Sequence, residues 1–167
     1  MNEKLRQAAS ELGEILTAAS VKLATAESCT GGLVSMSMCS ASSSADYFSS
    51  GFVTYTNDAK MRLLNVDQRT LEKFTAVSQP TAREMAAGAK AQSGEAVSLS
   101  VTGYAGPDDG PDGTPAGTIW FGWGLPDGTI KAEIKHFSGD SESVINQAAL
   151  FALTRLTTLL KAAGSQQ

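Results

Sequence analysis

The chain reads as an α/β protein: a three-layer α/β/α domain on a mixed, mostly parallel sheet with one late antiparallel hairpin. Three observations predict this. Amphipathic helical patterns stand at both ends of the 167 residues, and further helical patterns separate the short strand-like runs between them, the alternation that layers helices over a sheet. Late in the chain two strand-like runs flank Pro126-Asp127-Gly128, a hairpin signal. No internal repeat and no linker divides the sequence, so one domain over residues 1–167 is expected, burying roughly two-thirds of its extended surface.

The elements follow in order. Leu5, Ala8, Ala9, Leu12, Ile15, Leu16 and Ala19 recur three and four apart, an amphipathic helix. Residues 21–25 are a short strand, the polar AESCTGG of residues 26–32 is a tight turn, and residues 33–40 are a buried helix. The serine-rich stretch 40–50 carries Tyr47 and Phe48 and reads as an ordered loop around a short turn. Residues 51–56 are a second strand, ending at Asn57, the expected cap of a helix over residues 58–64. Asp67 caps a short helix reaching Phe74, and Ser78-Gln79-Pro80-Thr81 opens another with Ala82, Met85, Ala86 and Ala89 on its apolar face. Residues 96–101 are a strand running into TGYAGP and an irregular Gly/Pro/Asp loop. Residues 117–125 and 129–137 form the hairpin, and a final helix follows Asp140, with a frayed tail expected after Lys161.

Composition narrows the function classes. Hydrophobic residues make up 42% and charged residues 18%, with a net charge of -4, which argues against a nucleic-acid partner held by bulk positive potential. The apolar runs are too short to span a membrane, and the N-terminus is amphipathic and acid-bearing rather than a signal peptide, so no membrane partner and a cytoplasmic location are expected. Two cysteines, Cys29 and Cys39, lack a metal-type spacing, and the single His136 is distant in sequence. No metal and no cofactor are therefore expected.

The chemistry concentrates in AESCTGG. A strand, a polar turn and a helix start leave backbone N–H groups pointing outward, so the N–H groups near Thr30, Gly31 and Gly32 could receive an oxyanion developing on a substrate attacked by Ser28. Small and hydroxyl residues also cap helices for structural reasons alone. A serine nucleophile needs a base. His136 is one candidate. The other is a lysine kept neutral by burial, acting directly or through a tyrosine, and Tyr55 and Lys60 fit, with Lys60 in a first helical turn whose dipole opposes its charge. Lys60 could equally be a solvated helix residue. Cys29 competes as nucleophile, since helix N-termini favour thiolates, or packs beneath the glycine turn. Thr102, Gly103 and Gly106 form a second glycine turn at a strand end, which faces the first if the two strands are parallel neighbours. Asp108, Asp109 and Asp112 lie in a flexible loop without the spacing of a calcium site.

Taken together, AESCTGG, GFVTYTNDAK, AVS, VTGYAGP, PAGTIWFGW and HFSGD, in this order, resemble the CinA C-terminal domain family over residues 5–160. The resemblance implies an α/β/α domain in its stand-alone form and hydrolysis of nicotinamide mononucleotide to nicotinate mononucleotide and ammonia, without a cofactor. It implies Ser28 as nucleophile with Tyr55 and Lys60 assisting, and substrate contacts from Thr30, Gly31, Gly32, Asn57, Thr102, Gly103 and Gly106. Family precedent also implies a homo-oligomer. Two departures stand out: Thr114 where many members carry a lysine, and Tyr104 where the family has a smaller residue. They keep open a catalytically silent paralogue that binds a small nucleotide-like ligand in competence or DNA-damage processes. A structural role beside DNA-uptake proteins gains no support from the charge.

Overall fold

Asn2 accepts a hydrogen bond from the Leu5 N–H and so starts α1 (Glu3–Ala18), whose Leu5, Leu12 and Leu16 are fully buried. The computed structural model describes residues 2–165. After α1 come β1 (Leu23–Glu27), α2 (Leu33–Ser40), a 3₁₀ turn at Ser44–Asp46, β2 (Phe48–Val53), α3 (Asn57–Leu64), α4 (Gln68–Phe74) and α5 (Gln79–Ser93). Then follow β3 (Val97–Gly103), β4 (Thr118–Gly124), β5 (Ile130–His136) and α6 (Ser141–Gly164).

The sheet order is β2-β1-β3-β4-β5. β1 pairs parallel with both β2 and β3, and β4 runs antiparallel to β3 and to β5. Thus β4 alone opposes the other strands, and the sheet is mixed and mostly parallel as expected.

One face is a large apolar layer. Leu99, Val101, Phe121 and Trp123 pack with α1, α2 and α6, and the indole of Trp123 donates to the Ala152 carbonyl at 3.0 Å. The opposite face is built from small residues, among them Ala24, Ala26, Ser98 and Ser100, so α5 can lie close to the sheet. Ser98 Oγ donates to the Ala86 carbonyl and Ser100 Oγ to the Ala82 carbonyl, each at 2.7 Å. Thr102 Oγ1 donates to the Ala76 carbonyl at 2.8 Å. Where α5 meets α3, a β-carbon on Gly88 would collide with the Leu64 carbonyl. Glycine there sets the position of α3.

Several boundaries differ from expectation. β1 is displaced two residues, to Leu23–Glu27, because Glu27 is buried and bonded rather than part of a solvated turn. β2 begins at Phe48 inside the serine-rich stretch and ends at Val53, so Tyr55 lies beyond the strand. Thr56, not Asn57, caps α3: its Oγ1 accepts the Ala59 N–H at 3.1 Å, and Asn57 is the first helical residue. α6 continues past Lys161 to Gly164 because Leu159 and Leu160 remain packed. The rest of the tail, from Gln166, lies outside the described residues.

Candidate active site

β1, β2 and β3 point the same way, and the segments leaving their carboxyl ends carry Ser28, Thr54–Tyr55 and Gly103–Tyr104. Connections leave β1 over the α2 face and β2 over the α3–α5 face, so a crevice opens at these strand ends. The two glycine turns lie side by side there: the Ser28 N–H donates to the Val101 carbonyl at 2.9 Å.

Ser28 follows the last residue of β1, and its side chain points to the α3 side. Lys60, in the first turns of α3, is 1% exposed, and its Nζ lies 3.0 Å from Ser28 Oγ. The same Nζ donates to the carbonyls of Thr54 at 2.9 Å and Tyr55 at 3.3 Å. Burial lowers the Lys60 pKa to about 8, since the charged form has left water and its contacts here are a hydroxyl and two carbonyls rather than a carboxylate. A neutral amine keeps two N–H donors, enough for the two carbonyls, and turns its lone pair to the serine hydroxyl.

Glu27 is the residue that the sequence reading missed. Fully buried on the other face of β1, its Oε1 accepts from Thr30 Oγ1 at 2.7 Å and the Val34 N–H at 2.9 Å. Its Oε2 accepts from the Ser35 N–H at 3.0 Å and Ser35 Oγ at 2.6 Å. Gly32, at φ 106, enters α2 without a side-chain cap, and Glu27 supplies that cap from the neighbouring strand, its negative charge lying at the positive helix end. A buried acid before an uncapped Gly-Gly helix start was the available signal.

The remaining candidates divide. Tyr55 reaches the pair through its main-chain carbonyl while its ring is 70% exposed. Asn57, Thr102 and Gly103 border a cavity of about 650 Å³ together with Ser28, Tyr55 and Lys60, and Gly106 borders an adjoining one of about 390 Å³. Thr30, Gly31 and Gly32 border neither. The Thr30 hydroxyl is held by Glu27, and the Gly31 N–H donates to the Ser28 carbonyl at 3.0 Å, so these two groups are engaged within the turn.

Neither competing group matches the surroundings of Ser28: Cys29 borders only the smaller cavity, and His136 borders neither. Burial pushes the Cys29 thiol up to about 12, its own backbone bond opposing and the Glu27 carboxylate adding to the rise, and Cys29 packs against the apolar layer. His136 sits on β5, three strands from β1, which is about 14 Å at normal strand spacing, and it pairs with Thr118 Oγ1 at 3.2 Å. The Thr114 N–H donates to Asp112 Oδ1 at 3.0 Å, and Tyr104 borders both cavities.

A serine at a parallel strand end, in contact with a buried lysine inside an α/β/α layered sheet, defines a layered α/β protein with a serine–lysine pair at its strand ends. The chain belongs to the CinA C-terminal domain family, whose model matches residues 5–160. It is 46% identical to Protein YdeJ of Escherichia coli (strain K12), over 90% of this chain and 87% of that one. It is 44% identical to the nicotinamide-nucleotide amidohydrolase PncC of Enterobacter agglomerans, over 96% and 99%. Among solved structures, a competence-damaged protein (CinA) superfamily protein from Klebsiella pneumoniae matches with a TM-score of 0.93 at 36% identity, covering 97% of this chain and 99% of that one. No helix among the described residues is long and apolar enough to cross a membrane.

Proposed function

We propose that the chain is an amidohydrolase that converts nicotinamide mononucleotide and water to nicotinate mononucleotide and ammonia, with Ser28 as nucleophile and Lys60 as its base. The observation that carries this reading is the 3.0 Å contact between Ser28 Oγ and a buried lysine amine that has no carboxylate partner among the described residues. The similarity to PncC proteins named for this activity supports the substrate.

Neutral Lys60 takes the Ser28 proton as Oγ bonds to the carboxamide carbon. The tetrahedral adduct collapses as the lysine returns that proton to the departing nitrogen, releasing ammonia and leaving an acyl-serine. Water then enters, gives a proton to Lys60 as its oxygen attacks the ester carbon, and the proton passes back to Oγ as the acid leaves. The contact between Lys60 and Ser28 is direct, so the phenol of Tyr55 is not needed as a relay. Its exposed ring borders the cavity mouth and forms a wall for the pyridine ring.

The test is ammonia release from nicotinamide mononucleotide by the purified protein, with the acyl-enzyme trapped by rapid acid quench and detected by mass spectrometry on the Ser28 peptide. Ammonia together with the Ser28 adduct is the expected result. A folded protein that releases no ammonia from nicotinamide mononucleotide would overturn the reading.

A further inference from the structure

Thr75 holds a backbone conformation that a threonine seldom adopts. It closes α4 at φ 69 and ψ 176, a region that belongs essentially to glycine, and its branched β-carbon worsens the fit. Ser43 and Asn65 also have positive φ, but with ψ of 32 and 34 they sit in the ordinary left-handed well. Main-chain bonds hold Thr75 in place: its N–H donates to the Leu71 carbonyl at 3.0 Å, and its own carbonyl accepts Ser78 Oγ at 3.1 Å and Thr81 Oγ1 at 2.7 Å. Glycine would keep all three without the strain. The threonine is therefore explained by its side chain, and Thr75 borders the Ser28 cavity.

The Thr75 hydroxyl accepts the Val77 N–H at 3.3 Å and keeps its proton to donate. Beside it stand two further groups of the same cavity wall, the Tyr104 phenol and the Asp112 carboxylate. The loop that brings Asp112 there is fastened to Tyr104. The Tyr104 N–H donates to the Thr118 carbonyl at 3.1 Å, the Gly117 N–H donates to the Tyr104 carbonyl at 2.7 Å, and a β-carbon on Gly110 would strike the Tyr104 ring. The Asp112 carboxyl is held below its ordinary value first by the Thr114 backbone N–H, which lies 3.0 Å from Oδ1, so it is ionised at neutral pH. The Tyr104 phenol is pushed upward, first by desolvation and then by that carboxylate, so it keeps its proton. A carboxylate and two hydroxyl groups thus share one chamber with Ser28 and Lys60.

Such a set suits neighbouring hydroxyls on a sugar. A carboxylate offers about four acceptor sites, and the two O–H groups of a cis-diol make charge-assisted bonds to it, as a ribose does to the acid of a dinucleotide site. Resting on the amidohydrolase reading, we infer that Asp112, Thr75 and Tyr104 form a ribose subsite of the Ser28 cavity and bind the 2′,3′-diol of the nucleotide while its carboxamide lies on Ser28. The pyridine ring spans the interval between the two ends. The 5′-phosphate leaves the opposite face of the ribose, away from the carboxylate. These three residues therefore determine specificity for a ribosylated ring over free nicotinamide.

The experiment measures ammonia release from nicotinamide mononucleotide and from its 2′-deoxy and 3′-deoxy analogues, by the parent protein and by Asp112→Asn, Tyr104→Phe and Thr75→Gly. The parent should lose about tenfold or more in kcat/KM on each deoxy analogue, the scale of one hydrogen bond to a charged group. Asp112→Asn should show a similar loss on the mononucleotide, through KM with kcat little changed, and should barely distinguish the three substrates. Tyr104→Phe keeps the ring against Gly110 and should lose about two- to tenfold, the scale of a neutral hydrogen bond. Thr75→Gly should lose activity by a similar factor while its urea midpoint stays at or above the parent's, because glycine relieves the backbone. Deoxy analogues turned over as fast as the mononucleotide, or a Thr75→Gly variant that is less stable than the parent yet equally active, would overturn this inference and leave the amidohydrolase reading standing. No ammonia from the mononucleotide itself would overturn both.

Discussion

Glu27 and Ser28 are successive residues whose side chains leave the end of β1 toward opposite faces of the sheet. Glu27 is tied to the start of α2 through both carboxylate oxygens, and Ser28 meets Lys60 of α3. The alternation of a strand thus separates the group that anchors the turn from the group that reacts. It also keeps a buried carboxylate away from the lysine, whose proton it would otherwise stabilise.

Ser28→Ala should abolish turnover by several orders of magnitude, since it removes the covalent route, with little change in thermal stability. Cys29→Ala should keep turnover within a few-fold of the parent, because a thiol raised to about 12 is protonated at any working pH. Steady-state ammonia release from the two variants checks this. The opposite pattern would move the nucleophile to the thiol.

The Lys60 amine must be neutral to accept a proton, so kcat/KM should rise with pH through about 8 and level off above it. Lys60→Arg should be inactive throughout, because guanidinium keeps its proton. Stability carries the same signature. Lys60 has its pKa lowered on folding from 10.5 to about 8, so between these values the unfolded chain binds more protons and stability rises with pH. The gain across that window is about 3 kcal/mol. Urea midpoints of the parent and of Lys60→Met, measured at pH 7.5 and pH 10 (roughly the two ends of that window), isolate it: the rise should be absent in the variant.

Glu27→Gln should unfold more readily without any direct effect on the chemistry. An amide can accept with its oxygen but turns N–H donors toward one of the two pairs of donors that Glu27 now accepts. Hydrogen bonds to a buried charged group contribute about 1.5–3 kcal/mol each, so a loss of about 3 kcal/mol, or roughly 6–12 °C in Tm for a chain of this length, is expected in calorimetry. A Tm unchanged within 1–2 °C, about the shift of half a kcal/mol, would show that the carboxylate is not the cap of α2.

Gly88→Ala tests the seat of α3. The added methyl would strike the Leu64 carbonyl, so α3 must move, and Lys60 moves with it. Overpacking of this kind costs about 1–3 kcal/mol, and a misplacement near 1 Å can lower catalysis by about a hundredfold. Activity measured well below the variant's Tm should therefore fall in kcat, although Gly88 borders neither cavity beside Ser28.

Much of this was legible in the sequence, and the gaps have physical causes. Asp67 caps α4 as read, and α5 and α6 open where expected, with Ser78 and Asp140 as their caps, because a helix start is set by local interactions between residues two or three apart. The Ser28–Lys60 approach was legible mainly through the family resemblance, since a lysine in a first helical turn could equally have pointed to solvent. The end of β1 was misplaced because burial of Glu27 depends on donors seven and eight residues further on. That the Thr30 hydroxyl and the Gly31 N–H are engaged within the turn was hidden for the same reason: no residue pattern announces it. Asp112 enters the cavity wall through a loop whose path no periodicity describes.

The three hydroxyls of β3 that reach Ala86, Ala82 and Ala76 act as a ruler. Alternate strand residues are about 6.6 Å apart and one helical turn of four residues is about 6 Å, so Ser98 and Ser100 match successive rungs of α5 only at one setting. Thr102 extends the scale to the segment of Thr75, Ala76 and Val77 that forms a wall of the Ser28 cavity. A slip of α5 by one notch would take Ser98 and Ser100 off their present carbonyls, break the Thr102 bond and shift that wall by about a helical turn. The width of the reaction chamber is therefore fixed by the seating of a helix that supplies none of its chemistry.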